Sequence, residues 1–158
     1  MNKWILICCL GALVSACGGG EQPASDTKTE SAPTQATPLS QVYPSLPVQR
    51  LEELWQVCDY IDFVFYNTNF SMNQSEQASI QKTLRHVAAE VPDIKPECKA
   101  VGHLFYQSKG RILLEADLYF SPGCAYFVFM ENGKPAYANE MTPDGVEFYN
   151  KIFSTYNK

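Results

Sequence analysis

The sequence predicts an α+β domain with two N-terminal helices, a four-stranded antiparallel meander, and a C-terminal helix packed on one face of the sheet. Apolar residues recur at helical spacing through residues 48–91 and then at every second position, as in strands. A helical spacing returns after Thr142. Helices that flank an antiparallel sheet in this order are typical of the α+β class.

The first predicted helix runs from Val48 to Tyr66. Glu52 and Glu53 lie near its start, where acidic side chains stabilise the positive end of the helix dipole. Core packing explains the many aromatic residues of this segment better than a ligand site does. The apolar stripe consists of Leu51, Leu54, Trp55, Cys58, Ile61, Val64 and Phe65, widened by Phe63 and Tyr66.

The second predicted helix follows a polar segment in which Ser71 with Gln74, or Asn73 with Glu76, forms a capping box. Pro92 ends this helix because proline has no backbone N–H to continue the hydrogen-bond ladder. The residues of its apolar face are Ile80, Leu84, Val87, Ala88 and Val91.

Four strands are predicted before the last helix. Asn132-Gly133 marks the hairpin nearest the C-terminus, because both residues tolerate the positive φ of a tight turn. Pro135 cannot donate a ladder hydrogen bond, so the fourth strand is expected at an edge of the sheet. The predicted strands are Ala100–Gln107, Arg111–Phe120, Cys124–Glu131 and Lys134–Met141.

The final predicted helix begins at Thr142-Pro143, where a hydroxyl can cap the helix and proline suits its first turn. Its inner face consists of Val146, Tyr149, Ile152, Phe153 and Tyr156. Residues 47–158 therefore form one predicted domain of a usual size for a single core.

The segment before this domain, residues 18–46, is rich in Gly, Ser, Thr, Pro, Ala and Gln and has almost no large apolar side chains. Such a composition cannot bury enough surface to offset the loss of conformational entropy on folding. We expect residues 17–46 to form a flexible tether with a typical end-to-end distance of about 30 Å.

Residues 1–16 have the layout of an export signal. Lys3 precedes an uncharged run from Trp4 to Val14, which is shorter than the roughly 20 residues that span a bilayer as a helix. We therefore expect this segment to be removed from the mature chain.

The end of the signal, Val14-Ser15-Ala16-Cys17, resembles the lipobox of bacterial lipoproteins, where an aliphatic and two small residues precede an obligatory cysteine. The resemblance implies a diacylglyceryl group on the Cys17 thiol, cleavage before Cys17, and a fatty acid such as palmitate on the new amino group. These acyl chains would anchor the protein on a membrane of the cell envelope. An ordinary secretory signal that ends in cysteine is the alternative.

The residue after the cysteine bears on which membrane is used. In many Gram-negative lipoproteins an aspartate at this position signals retention in the inner membrane, and here the position holds Gly18. The resemblance therefore implies the outer membrane, with the domain facing either the periplasm or the cell surface.

Charge argues against two classes of partner. The formal net charge is −5 at pH 7, and no cluster of Lys or Arg stands out. Nucleic acid is therefore not expected as a partner. A polybasic membrane-binding face is not expected either, so membrane contact is assigned to the N-terminal lipid alone.

Three cysteines follow Cys17, and export permits disulfides. Cys98 precedes the first predicted strand and Cys124 opens the third, so both lie near one end of the sheet. A disulfide needs Cα atoms ~4.4–6.8 Å apart, which requires the loop at Cys98 to curl over the sheet end. We favour a Cys98–Cys124 bridge, while a Cys58–Cys98 bridge and no stable bridge remain open. Cys58 is expected to be a small buried apolar residue.

No motif in the mature chain indicates a metal or cofactor site. The chain has no C-x-x-C motif after the signal and no metal-ligand spacing, and neither His86 nor His103 lies in a family motif. We interpret both histidines as surface or boundary residues. No catalytic residue, metal ligand or cofactor is assigned.

The favoured function is a non-enzymatic binding domain at the cell envelope, with an envelope protein or a glycan as its partner. An inhibitor or immunity-type protein that blocks a toxin or hydrolase is one specific form. Size, the lack of a nucleophile constellation and the surplus of aromatic residues favour this interpretation.

Two other functions remain open. A small periplasmic hydrolase could use Glu115 and Asp117, which share a strand face with Tyr119, together with His103. Convergence of these residues in a concave pocket would favour that hypothesis, whereas the polar face of a half-buried strand explains the carboxylates more simply. A purely structural envelope protein is the third possibility.

Overall fold

The computed structural model describes residues 42–156. Within this range the chain forms three helices and six strands, and all six strands belong to one antiparallel sheet. The predicted signal, Cys17 and most of the predicted tether lie outside the described residues. The elements are α1 (Val48–Val57), β1 (Tyr60–Phe65), β2 (Ser71–Gln74), α2 (Gln77–Leu84), β3 (Ala100–Ser108), β4 (Arg111–Ser121), β5 (Cys124–Glu131), β6 (Lys134–Glu140) and α3 (Pro143–Tyr156).

The first helix is shorter than predicted, because α1 ends before the aromatic segment that forms β1. In β1 the alternate residues Ile61, Phe63 and Phe65 are buried. The apolar residues of this segment match a helical spacing as well as a strand spacing. As a strand, this segment pairs with β2 on one side and with β3 on the other, so its backbone N–H and C=O groups are hydrogen-bonded. This pairing favours the strand over the helix. The prediction of a helix up to Tyr66 is wrong.

The second helix is also shorter than predicted, since α2 ends at Leu84 and the predicted helix continues to Val91. The chain after α2 pairs instead with the outer edge of β6. The Ala88 N–H donates to the Glu140 carbonyl, and the Glu140 N–H donates to the Glu90 carbonyl. The outer edge of β6 has backbone N–H and C=O groups without a neighbouring strand, and these hydrogen bonds pair some of those groups. A longer α2 would leave the same groups of β6 unpaired.

The sheet has six strands and not the predicted four, because β1 and β2 extend it beyond β3 in the order β2-β1-β3-β4-β5-β6. Ser71–Gln74, where the helix cap was expected, forms β2. The four predicted strands correspond to β3–β6, and β6 lies at an edge as Pro135 predicts. Asn132 and Gly133 have φ values of 53° and 72°, as the predicted hairpin turn requires.

One face of the sheet packs against the helices and forms the main core. Tyr149 of α3 is fully buried, and its ring centroid lies 5.8 Å from that of Phe120 and 6.2 Å from that of Phe127. Phe153, one turn further along, packs edge-on against Phe65 at 5.4 Å. The predicted C-terminal helix on one face of the sheet is therefore confirmed.

The other face is covered over β5 and β6 by the chain around Tyr43 and by the loop that precedes β3. A disulfide joins Cys98 in this loop to Cys124 at the start of β5, with Cα atoms 5.8 Å apart. This confirms the favoured pairing and shows the loop curled over the end of the sheet. Cys58 is a free, buried thiol, as expected, and burial raises its pKa.

Candidate functional site

Half of the second sheet face carries no covering segment in the described part of the chain, and we call it the open face. Its side chains come from β1, β3, β4 and the residue that follows β1. In the strand pairing, Val64 lies opposite His103, and His103 lies opposite Asp117. Directly opposed residues of an antiparallel sheet project from the same face. The central residues of the open face are Asp62, Val64, Tyr66, His103, Phe105, Glu115, Asp117 and Tyr119, and Ser71 and Asn73 of β2 border them opposite Val64 and Asp62.

A histidine bridged by two carboxylates lies at the centre of the open face. The Nδ1 atom of His103 is 2.7 Å from Oδ1 of Asp117, and its Nε2 atom is 3.2 Å from Oε2 of Glu115. The antiparallel register explains both contacts, since Asp117 is directly opposite His103 and Glu115 is its same-face neighbour on β4. The His103 side chain is only 15% exposed, against 37% for Glu115 and 23% for Asp117.

These contacts favour the protonated imidazole. The hydrogen bond with Asp117 raises the pKa of His103, burial opposes this rise, and the hydrogen bond with Glu115 adds to it. Only the imidazolium can donate from both ring nitrogens. In the neutral ring one nitrogen would instead turn a lone pair toward a carboxylate. Each ring nitrogen of His103 contacts a carboxylate, and we call these three side chains the triad.

Aromatic side chains surround the triad. The rings of His103 and Phe105 lie 4.6 Å apart, and Tyr119 stacks on Tyr126 at 4.6 Å with an interplanar angle of 20°. Burial, and then the negative charge of Asp117, raises the pKa of Tyr66. The same two causes, in the same order, raise the pKa of Tyr119. The Asp117 carboxylate therefore acts electrostatically on two tyrosines as well as contacting His103.

Exposed apolar surface borders these charges. Val64 is 39% exposed and Tyr66 is 40% exposed. Alternation places Val64 on the face of β1 opposite its buried residues. The predicted helix up to Tyr66 assigned Val64 to an apolar helix stripe, so the open face was missed at this point. The period of two in Tyr60–Phe65 is the signal that could have identified it.

The structure brings Glu115, Asp117 and His103 together, as the hydrolase hypothesis requires, but on the surface of a sheet. A cavity of ≈ 350 Å³ at the end of β4 and β5 is lined by Glu115 and not by His103 or Asp117. A general base needs a nitrogen or oxygen free to accept the proton that it removes. In His103 both nitrogens are already held by carboxylates.

The other histidine is not a surface or boundary residue, and that prediction is wrong. His86 is 1% exposed and lies beyond the end of α2. Its ring centroid is 4.9 Å from that of Phe148 and 6.3 Å from that of Tyr149. Burial lowers its pKa to about 4, so His86 is neutral inside the core.

Residues 42–156 contain neither a metal-binding cluster nor a helix that could cross a membrane. No group of three or more His, Cys, Asp and Glu side chains in this range could hold a metal ion. No helix in the same range has the length and hydropathy needed to cross a bilayer. Cys17, the predicted lipid anchor, lies outside the described residues.

Comparison of the chain with protein-family models, with curated proteins and with solved structures found no match. Function is therefore inferred from the residues of the open face and from the lipobox-like segment alone.

Proposed function

We propose that this chain is a lipid-anchored protein of the cell envelope whose domain binds another envelope protein through the open face without catalysing a reaction. The anchor is the expected lipid on Cys17, at the end of Val14-Ser15-Ala16-Cys17. The proposed tether is residues 17–42, because Tyr43 and Leu46 pack on the domain, and it would let the domain reach about 30 Å from the membrane.

The proposal is based on the open face, an uncovered half of a sheet face on which aromatic and charged side chains lie next to each other. Helices cover the opposite face, and a disulfide-held loop covers the rest of this one. The open half keeps Val64 and Tyr66 about two-fifths exposed beside Phe105. Aromatic side chains are enriched in protein interfaces, where their large area is buried against a partner.

The geometry of the triad supports binding over catalysis. His103 uses both ring nitrogens within the triad, so acid–base chemistry at His103 would first require one of these contacts to break. A hydrogen-bonded triad instead holds the Glu115 and Asp117 side chains in fixed positions, which lowers the entropic cost of meeting a partner. The specific form that we favour is an inhibitor or immunity-type protein whose open face blocks an envelope enzyme or toxin.

Site-specific photo-crosslinking in the native envelope tests the proposal. A photoreactive phenylalanine replaces Val64, which is 39% exposed on the open face, or Val57, which is 44% exposed at the end of α1. The two valines are matched in residue type and exposure, and they differ in location. We expect ultraviolet light to join a discrete protein to the Val64 variant and not to the Val57 variant.

Two results would contradict the proposal. Adducts of the same pattern from both positions would show random collisions at the membrane. The absence of any adduct from Val64, at normal abundance of the variant, would show that the open face is not an interface.

A further inference from the structure

The open face carries an excess of negative charge that no basic side chain of the described residues neutralises. Asp62, Glu115 and Asp117 contribute three carboxylates, and His103 is the sole residue with a positive form on the face. Within residues 42–156, neither Glu115 nor Asp117 forms an ion pair with Lys or Arg. An interface buries such carboxylates at a high cost unless the partner supplies counter-charges.

We propose that the partner segment that docks on the open face is basic and places an arginine or lysine side chain on Asp117, between Tyr66 and Tyr119, in competition with His103. This inference rests on the proposed binding function and names the chemistry of the partner. The proposal excludes a partner segment that is acidic or purely apolar.

Asp117 has the capacity to receive such a cation. Its Oδ1 atom is held by His103, while its Oδ2 atom makes no hydrogen bond with the described residues. A carboxylate has about four lone-pair positions and accepts a guanidinium in bidentate form. A cation therefore has room to bind at Oδ2, where its charge competes with that of the imidazolium held at Oδ1.

The two tyrosines supply a second attraction for the same cation. Tyr119 is the same-face neighbour of Asp117 on β4. Tyr66 follows Val64 on the open face, and His103, the partner of Val64, lies opposite Asp117. The negative charge of Asp117 also contributes to the raised pKa of both tyrosines. The faces of such rings attract ammonium and guanidinium groups when these lie within about 6 Å of the centroid.

Competition with His103 makes the binding depend on pH. The groups that face His103 are Asp62 and Tyr66 from the β1 side and Glu115, Asp117 and Tyr119 from β4. A partner cation at Asp117 repels the imidazolium, so binding promotes release of its proton. By linkage, the affinity for the cation rises as pH increases through the pKa of His103.

The test uses the full-length mature protein in detergent micelles and fluorescein-labelled tetra-arginine, tetra-lysine, tetra-serine and tetra-glutamate peptides, with fluorescence anisotropy as the readout. We expect the arginine and lysine peptides to bind and the other two not to bind. Asp117→Asn should weaken tetra-arginine binding about tenfold, as for loss of one charge-assisted hydrogen bond. Glu52→Gln, which removes an exposed carboxylate from α1, is the matched control and should leave the affinity within about twofold.

The pH arm uses the wild-type protein and His103→Gln at about pH 6 and about pH 8, on either side of the usual histidine pKa. We expect wild-type affinity for tetra-arginine to rise between these values. His103→Gln should bind more tightly at the lower pH and lose most of the dependence. Retention of the Cys98–Cys124 cross-link and of the wild-type circular dichroism spectrum establishes that each variant is folded.

Equal loss of affinity in Asp117→Asn and Glu52→Gln would overturn the inference, because the attraction would then be that of any acidic protein. Binding of tetra-glutamate, or no binding of any basic peptide, would overturn it as well. These failures are distinguishable from failure of the proposed function. A protein cross-linked at Val64 through an acidic segment would keep the binding function and refute the basic partner.

Discussion

Replacement of His86 by leucine is expected to remove most of the acid sensitivity of the fold. His86 is 1% exposed, and neither ring nitrogen has a hydrogen-bond partner among the described residues. Its ring packs on Phe148 and Tyr149. Burial lowers the pKa from 6.5 to about 4, because a charged imidazolium is poorly solvated there.

The sign and size of the effect follow from this pKa. Between the unfolded value of 6.5 and the folded value of about 4, the unfolded chain binds a proton at His86 that the folded chain does not bind. Stability is therefore present at neutral pH and falls as pH decreases through this window. The full loss is about 3 kcal/mol, of which about 2.5 kcal/mol is reached near pH ~4.5.

Urea denaturation of the wild-type protein and of His86→Leu at several pH values provides the assay. We expect the wild-type free energy of unfolding to fall by about 2.5 kcal/mol more than that of the variant between pH ~7 and pH ~4.5. The absolute stability of the variant also depends on how leucine packs. The decisive quantity is therefore the difference between the two proteins in how the free energy of unfolding changes with pH. Parallel curves would refute the assignment of a neutral, buried His86.

The other histidine acts with the opposite sign and must be separated from His86. Hydrogen bonds with Asp117 and Glu115 raise the pKa of His103 in the folded state. Its contribution to stability is complete below the unfolded pKa and is lost as pH rises through the folded pKa. His103→Gln should therefore flatten the alkaline side of the profile and leave the acid side unchanged.

Two further predictions concern the cysteines. The Cys98–Cys124 bridge spans a sequence separation of 26, so replacing both residues by serine should lower the free energy of unfolding by about 3.5 kcal/mol. Cys58→Ala is its control in the same urea titration, with an expected loss of less than half that amount, and equal losses would contradict the stabilising role of the bridge. For the anchor, Cys17→Ser should abolish incorporation of labelled fatty acid and leave the precursor uncut. Normal labelling of that variant would refute lipidation at this residue.

Several features could be predicted from the sequence because short stretches of chain determine them. The hairpin at Asn132-Gly133 depends on two residues that tolerate positive φ. The strands β3 and β4 alternate between buried and more exposed residues, and β3–β6 are joined by short turns. The Thr142 hydroxyl accepts a hydrogen bond from the Gly145 N–H at the start of α3. The Cys98–Cys124 pairing followed from the positions of both residues near one end of this meander.

The tertiary structure decided between helix and strand where the local spacing of apolar residues was compatible with both. Tyr60–Phe65 forms a strand because it pairs with the edge of β3, and Ser71–Gln74 then pairs with Tyr60–Phe65. The chain after Leu84 leaves the helix and forms hydrogen bonds with the edge of β6. Hydrogen bonds across a sheet join residues distant in sequence, so a local period cannot reveal them.

The candidate site depends on the same distant pairing. The sequence shows Glu115 and Asp117 on one strand face, but their shared contact with His103 requires the register of β3 against β4. A shift of one residue in that register would turn the His103 side chain relative to both carboxylates and leave it facing apolar neighbours. The sequence alone therefore identified the two carboxylates on one strand face. The triad and the open face around it depend on strand pairing.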